Sequence, residues 1–296
     1  MAASTFNRSL ELAGTLPPLM VAADRVAATV IQGVHGRRRV GQGDAFWQYR
    51  QYRDGDSASR IDWRQSARSR SLFVRETEWE AAASVWLWRD ASPSMQYASL
   101  RNFDTKAQRA ELIVLALANL LTDASERIAI LGGGMRPSSG RVAVRRLAEA
   151  FAAEMQNGEK LPSLPPLVPL PAHGTVVLVS DWLDPLDRIE AVVRHYASAG
   201  VRGHLVQILD PAEEDLPFNG HVKFEGLEAE GQHTIRRVET VREAYGARLA
   251  AQREGLQRLA RPADWTVHLH RTDRPAQTVL LSLYLAMADL RRLNAA

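Results

Sequence analysis

The sequence predicts an α/β fold in which helices cover both faces of a mostly parallel sheet. Short apolar runs without polar alternation, such as 84–89 and 175–180, are typical of strands buried on both faces. Segments with helical periodicity separate these runs, and that alternation is typical of a parallel sheet. A chain of 296 residues is long enough to bury a substantial core around such a sheet.

The remaining elements follow from periodicity and from helix-capping residues. Thr105 and Gln108 have the spacing of a capping box, which predicts that a helix begins there. The proline-rich stretch 161–174 predicts an irregular connection, and the polar stretch 210–237 predicts short β pieces. Further strands are predicted at 127–131, 203–209 and 265–270, and further helices at 16–33, 141–155, 186–198, 238–261 and 275–293.

Composition excludes several classes of function. The chain has no cysteine, so it has neither a disulfide framework nor a thiolate nucleophile, and we expect a cytoplasmic protein. The formal net charge is only +3, and all but three of the 37 basic residues are arginine. The apolar stretch 112–121 is too short to cross a bilayer, so we expect no membrane segment.

Two predicted strands end in acidic residues. Asp90 follows the first strand, and two serine hydroxyls, Ser92 and Ser94, follow it at successive intervals of two residues, while Asp181 follows the strand at 175–180. The carboxyl ends of parallel strands share one sheet edge, where ligands bind. Hard cations such as Mg²⁺ prefer oxygen ligands. The pattern therefore predicts a magnesium site, although Asp90 and Ser92 would also suit a turn that only satisfies backbone groups.

These residues also carry a family resemblance. The Asp90–Ser94 loop resembles the metal-ion-dependent adhesion motif of von Willebrand factor A domains. With the upstream strings Gly41–Phe46, Tyr49–Asp56 and Arg60–Arg68, the chain is similar to the bacterial family called domain of unknown function 58. The resemblance covers about residues 30 to 285. We expect two parts: residues 1–80, which comprise an N-terminal helix and an Arg/Asp-rich family-specific segment, and a von Willebrand factor A-like (Rossmann-like) domain, 81–296.

The strand-edge site predicts a non-enzymatic adaptor that binds a protein partner. The resemblance implies that this partner is a MoxR-type AAA+ ATPase and that the pair acts in protein assembly or maturation. An adhesion-type metal held by few protein ligands leaves a position open for a carboxylate of the partner. The sequence departs from the motif in one respect. The A-domain threonine has no counterpart in the loop before Thr175, where only Ser163 stands.

The arginine-rich segment 37–75 has two interpretations. Its basic and aromatic residues suit single-stranded nucleic acid. Alternatively, arginine forks pair with carboxylates in an internal network, which we favour because guanidinium and carboxylate geometries match. Trp63 is then interpreted as a core anchor. The predicted network consists of Arg50, Asp56, Arg60, Asp62 and Arg68.

A metal-dependent hydrolase that uses Asp90, Ser92 and Asp181 is the remaining alternative. No phosphate-binding loop with lysine is present, and the eight histidines lack the spacing of a zinc protease. His268 and His270 alternate on a predicted strand and are interpreted as surface residues. The residue types therefore favour binding over bond breaking.

Overall fold

The computed structural model describes residues 25, 27, 30, 31, 46–52, 61–68, 71–77, 84–134, 136–156, 161–225 and 231–294. The chain divides into two compact units. One is His35–Ala82, and the other joins Met1–Val34 to Ala83–Ala296. Within the larger unit, Ala27 and Val30 are helical and buried in a core that also contains Val85. The larger unit therefore includes part of the predicted N-terminal helix.

The smaller unit contains a two-stranded antiparallel sheet. Strands β1 (Phe46–Gln51) and β2 (Phe73–Thr77) pair with a register shift between Phe46 and Gln48. A short helix, α1 (Trp63–Ser66), precedes β2. Trp63 is 65% exposed, so its interpretation as a core anchor is wrong. Trp63 is the first residue of a helix of only four residues, which has no periodic apolar face to pack against a core.

The larger unit is built on a five-stranded parallel sheet. Its strands are β3 (Ser84–Arg89), β4 (Arg127–Ile130), β5 (Thr175–Ser180), β6 (Arg202–Leu209) and β9 (Thr266–Arg271). They lie in the order β4-β3-β5-β6-β9, and every pairing between neighbours is parallel. A separate hairpin joins β7 (Val222–Glu225) to β8 (Gln232–Ile235). The order reverses around β3 and β5, as in doubly wound sheets, which bind ligands at that point.

Helices cover both faces of this sheet. They are α2 (Lys106–Asp123), α3 (Arg141–Gln156), α4 (Leu186–Ser198), α5 (Pro211–Asp215), α6 (Arg242–Ala260) and α7 (Ala276–Asn294). Alternate strand residues enter two cores. Val177 and Val179 pack with α2, α3 and α7, whereas Val176 and Leu178 pack with α4 and α6. The predicted α/β class with a parallel sheet is confirmed.

Most predicted bounds agree with the structure to within a residue or two. The capping box at Thr105 and Gln108 is present and begins α2. The prediction of one helix from 238 to 261 is wrong at its start, because Val238–Thr240 forms a 3-10 turn and α6 begins at Arg242. The described residues contain no helix long and apolar enough to cross a membrane.

The interpretation of His268 and His270 as surface residues is wrong. Both are buried, whereas the apolar Leu269 between them is 46% exposed. The Nδ1 atom of His268 lies 3.0 Å from the hydroxyl of Ser282, which belongs to α7. The histidine face of β9 is therefore the covered face, although β9 is an edge strand.

Candidate functional site at the carboxyl edge of the sheet

Asp90 follows β3 and is completely buried. Its amide donates to the carbonyl of Val179 at 2.8 Å, which continues the pairing with β5 past the end of the strand. Its two carboxylate oxygens accept from the amide of Ser92 at 2.7 Å and from the hydroxyl of Ser180 at 2.8 Å. Asp90 thus joins the two strand ends, and the bond from Ser92 is the one that a purely structural turn would make.

The two motif serines extend this arrangement towards Asp181. The hydroxyl oxygens of Ser92 and Ser94 lie 3.1 Å apart, and Ser94 Oγ donates to Asp181 Oδ2 at 3.0 Å. A 3-10 turn, Pro93–Gln96, places Ser94 on the side of β5. The four residues predicted from the sequence are therefore in one cluster at the carboxyl edge.

The backbone beyond Asp181 is held in an unusual conformation. Trp182 has a φ of 52°, a left-handed value that bulky residues rarely adopt. Trp182 is fully buried, and its indole donates to the carbonyl of Val206 at 3.1 Å. The side-chain amide of Gln252 donates to the backbone carbonyl of Trp182 at 2.9 Å. Such conformations persist where the surroundings fix them, and they concentrate at functional sites.

A lysine that sequence reasoning missed lies at the centre of the site. Lys106 is the first residue of α2 and is fully buried. Its ammonium donates to Asp181 Oδ2 at 2.9 Å and to Glu213 Oε1 at 2.6 Å. Asp181 Oδ2 therefore accepts from Ser94 and from Lys106 together.

The third contributor is the end of β6. Asp210 caps α5 by accepting from the amide of Ala212 at 2.8 Å, and its other oxygen accepts from the amide of Ser99 at 3.0 Å. Glu213 completes a capping box on Asp210 and also accepts from Lys106. The Asp-Pro pair at 210–211 after a buried strand was a detectable sign of this third strand end.

The electrostatics follow from burial. The pKa of Asp90 is raised to about 7, mainly by burial and also by the nearby charge of Asp181. The hydrogen bonds from Ser92 and Ser180 oppose this shift. Burial by itself lowers the pKa of Lys106, but the charges of Asp181 and Glu213 raise it above its usual value. Lys106 is therefore a permanent cation at neutral pH.

A pocket of about 460 Å³ opens beside this cluster. Its polar wall includes Ser94, Asp181 and Glu213. Leu183, at its edge, is 44% exposed. The remaining lining mixes apolar and aromatic side chains with polar ones. The apolar and aromatic residues include Tyr97, Leu216, Phe218, Phe224 and Tyr245, and the polar ones are Ser163, Asp184, Arg188 and Glu225. The volume is within the range of ligand-binding pockets.

As the side chains stand, the cluster does not fit a divalent ion. Asp181, one of the two predicted carboxylate ligands, is already paired with Lys106, and both oxygens of Asp90 accept hydrogen bonds within the loop. No group of three His, Asp or Glu side chains in the described part of the chain is placed to hold a metal. Magnesium stays a prediction.

The predicted arginine network falls largely outside the described residues. Asp56 and Arg60 lie there, and so does the side chain of Arg50. The amide of Asp62 donates to the carbonyl of Phe73 at 2.9 Å, and Arg68 is exposed. The network therefore stays a prediction.

The fold and the site together define an α/β protein with a polar cluster and a pocket at the carboxyl edge of a parallel sheet. The family model described as "Protein of unknown function DUF58" matches residues 48–255. The chain belongs to this family, as the sequence resemblance predicted.

The chain is also similar to individual proteins. Uncharacterized proteins of Mycobacterium bovis and of two strains of Mycobacterium tuberculosis are each 23% identical over 282 residues, which cover 89% of this chain and 86% of theirs. A solved structure, the conserved hypothetical protein BatB from Bacteroides thetaiotaomicron, aligns with 70% of this chain and 100% of its own at a TM-score of 0.41 and 11% identity.

Proposed function

We propose that this protein is a non-enzymatic adaptor that binds a protein partner in the pocket at the carboxyl edge of the sheet. The observation that carries the proposal is the pocket itself, which joins an apolar lining to the polar cluster around Ser94 and Asp181. The resemblance to the family supplies the candidate partner, a MoxR-type AAA+ ATPase, and the candidate domain type, a von Willebrand factor A-like domain.

The charges of the pocket indicate what part of a partner enters it. Lys106 balances Asp181 and Glu213, and Arg188 pairs with Asp184 at 2.9 Å. Three of the four carboxylates of the pocket are thus paired with cations, and Glu225 accepts from Gln232 at 3.1 Å, which leaves the apolar and aromatic side chains as the larger part of what a partner would contact. Buried apolar and aromatic anchors dominate the energy of most interfaces. An apolar segment of the partner therefore suits the pocket better than a carboxylate.

The described lining of the pocket has few groups suited to catalysis. It contains no histidine, and its serines and carboxylates are Ser94, Ser163, Asp181, Asp184, Glu213 and Glu225. Ser94 donates to a carboxylate that Lys106 neutralises, so that carboxylate is a poor general base. We therefore favour the adaptor over the metal-dependent hydrolase that the sequence left open.

The test is Leu183→Asp, assayed for binding to the purified MoxR-type ATPase of the same organism. We expect a loss of affinity of tenfold or more, because a charge replaces apolar area at the pocket. Val142→Asp is the matched control, since Val142 is 52% exposed on α3 and does not line the pocket. Equal binding by both variants would overturn the proposed interface.

A second candidate function has one observation in its favour. The exposure of Trp63 beside Arg64 suits the stacking of a base better than a core position does. Trp63→Ala should then weaken binding of a single-stranded oligonucleotide by about 1–3 kcal/mol, whereas Leu72→Ala, at another exposed apolar residue of this unit, should not. Fluorescence anisotropy measures both, and equal affinities would eliminate this candidate.

A further inference from the structure

The geometry points to Lys106 as the resident cation of the strand-end cluster, in the role that a divalent ion has in an adhesion motif, so that the cluster is complete without metal. This inference does not depend on the identity of the partner. It concerns only how the charges of Asp181 and Glu213 are balanced.

The position of the Lys106 ammonium supports this inference. The ammonium of Lys106 contacts Asp181 Oδ2, the same oxygen that accepts from the motif residue Ser94. It therefore lies one hydrogen-bond step from the D-x-S-x-S loop and shares the Asp181 carboxylate with it. The side chain of Lys106 is 1% exposed, and those of Asp181 and Glu213 are 4% and 20% exposed. Little water reaches the cation.

The second support is that local structure fixes this side chain in place. The capping box of Thr105 and Gln108 determines where α2 begins, and the amide of Lys106 donates to the carbonyl of Tyr97 at 3.2 Å. The backbone of Lys106 is thus fixed by the start of the helix, and its ammonium is fixed by the two carboxylates. A cation positioned by secondary structure needs no added ion to order the site.

The third support is the choice of residue. The chain contains three lysines among its 37 basic residues, and one of them stands here. An ammonium is a compact point charge, whereas a guanidinium is a wide planar fork. Of the two cations, the ammonium is closer to a metal ion because it is a compact charge that several oxygens can surround. The chain has arginine at most of its basic positions but lysine at this one, where a compact charge is needed.

The fourth support is the absence of a threonine from the motif. The loop before β5 supplies Ser163 and no threonine, so an ion would lack one of its usual oxygen ligands. Lys106 removes the need for that ligand, because hydrogen bonds to Asp181 and Glu213 satisfy the ammonium directly. If the ammonium takes the place of the ion, the threonine ligand is not needed and the lysine is.

The experiment measures thermal unfolding of the full chain with millimolar Mg²⁺ and with a chelator. For the unaltered protein we expect the same midpoint in both buffers. Lys106→Ala should unfold several degrees lower and should recover part of that loss in Mg²⁺, since two carboxylates are freed. Lys223→Ala, at an exposed lysine on β7, is the matched control and should behave like the unaltered chain.

Two results would overturn the inference. One is saturable one-to-one binding of Mg²⁺ to the unaltered chain, measured by calorimetry and lost in Asp90→Asn. The other is a Lys106→Ala midpoint equal to that of Lys223→Ala. If Lys106→Ala fails to fold, Lys106→Met is used in its place, and the calorimetry of the unaltered chain decides by itself.

Discussion

Arg89 and Lys106 are both buried cations in the described part of the chain, and their surroundings differ. Lys106 lies between Asp181 and Glu213 beside an open pocket. Arg89 is enclosed between β3 and the helices. It lies 2.8 Å from Glu111 and 3.6 Å from Glu154, and its guanidinium stacks 4.6 Å from the ring centre of Phe151.

The difference shows that burial of charge serves two purposes here. Arg89 packs its plane against an aromatic ring, and two of its nitrogens have no hydrogen-bond partner among the described residues. Lys106 makes short bonds to both of its carboxylates. Arg89 thus holds helices to the sheet, whereas Lys106 orders two carboxylates that line the pocket.

The largest expected effect is that of Lys106→Met. Removal of one partner from a buried ion pair leaves charges uncompensated and costs about 3–5 kcal/mol of unfolding free energy. Chemical denaturation measures this loss. Adding Asp181→Asn should restore part of it, because one of the two stranded charges is then gone. If the double variant loses as much stability as the two single variants together, or more, Lys106 and Asp181 are not a coupled pair.

Arg89→Met should have a smaller effect in the same measurement, below the roughly 3–5 kcal/mol of a fully buried pair. Burial already raises the pKa of Glu111 and that of Glu154 against the opposing charge of Arg89, so both can take a proton once Arg89 is lost. The side chain of Glu154 is also 37% exposed and can turn to water. A loss equal to that of Lys106→Met would remove the distinction between the two centres.

A neutral buried cluster sharpens the comparison. His204 and His268 both bond to the hydroxyl of Thr266, at 2.7 and 2.8 Å. Burial lowers the pKa of His204 to about 3 and that of His268 to about 4. The unfolded chain therefore binds more protons below the ordinary histidine pKa, and the free energy of unfolding falls as the pH decreases from about 6.5 towards about 4.

At about pH 5 the contribution of His204 to this loss is about 2 kcal/mol. Denaturation curves at a series of pH values give the slope, and His204→Gln should flatten it. An unchanged slope in that variant would mean that His204 does not stay neutral in the folded state.

The smallest expected effect on stability is that of Leu183→Asp, within about 0.5 kcal/mol, because the side chain is already partly exposed. Its midpoint of thermal unfolding should therefore match that of Val142→Asp. A substantial loss of stability in Leu183→Asp would mean that its binding defect does not report on the pocket alone.

The sheet and the acidic strand ends were predictable because both depend on short-range patterns. Unbroken apolar runs identify β3 and β5, and parallel topology then brings Asp90 and Asp181 to one edge. Lys106 was not predictable in this way, since its partners lie 75 and 107 residues away along the chain. Glu213 was hidden by its local role in a helix cap.

The errors have related causes. Alternation on β9 identified two faces but not which face α7 covers, because that depends on a helix later in the chain. Trp63 is large and apolar, which favours burial on average. Its exposure depends on the short helix that carries it, which periodicity cannot resolve over four residues.

Glu213 uses both carboxylate oxygens, one for Lys106 and one for the amide of Asp210. A fragment of residues 84–200 would contain Asp90, Lys106 and Asp181 but would leave the ammonium with one carboxylate in place of two. The pocket beside Lys106 is thus complete only after β6 and α5 have docked, because Ala212 and Glu213 form part of its wall. A partner that binds this pocket as proposed would bind the finished chain and not a fragment that lacks β6 and α5.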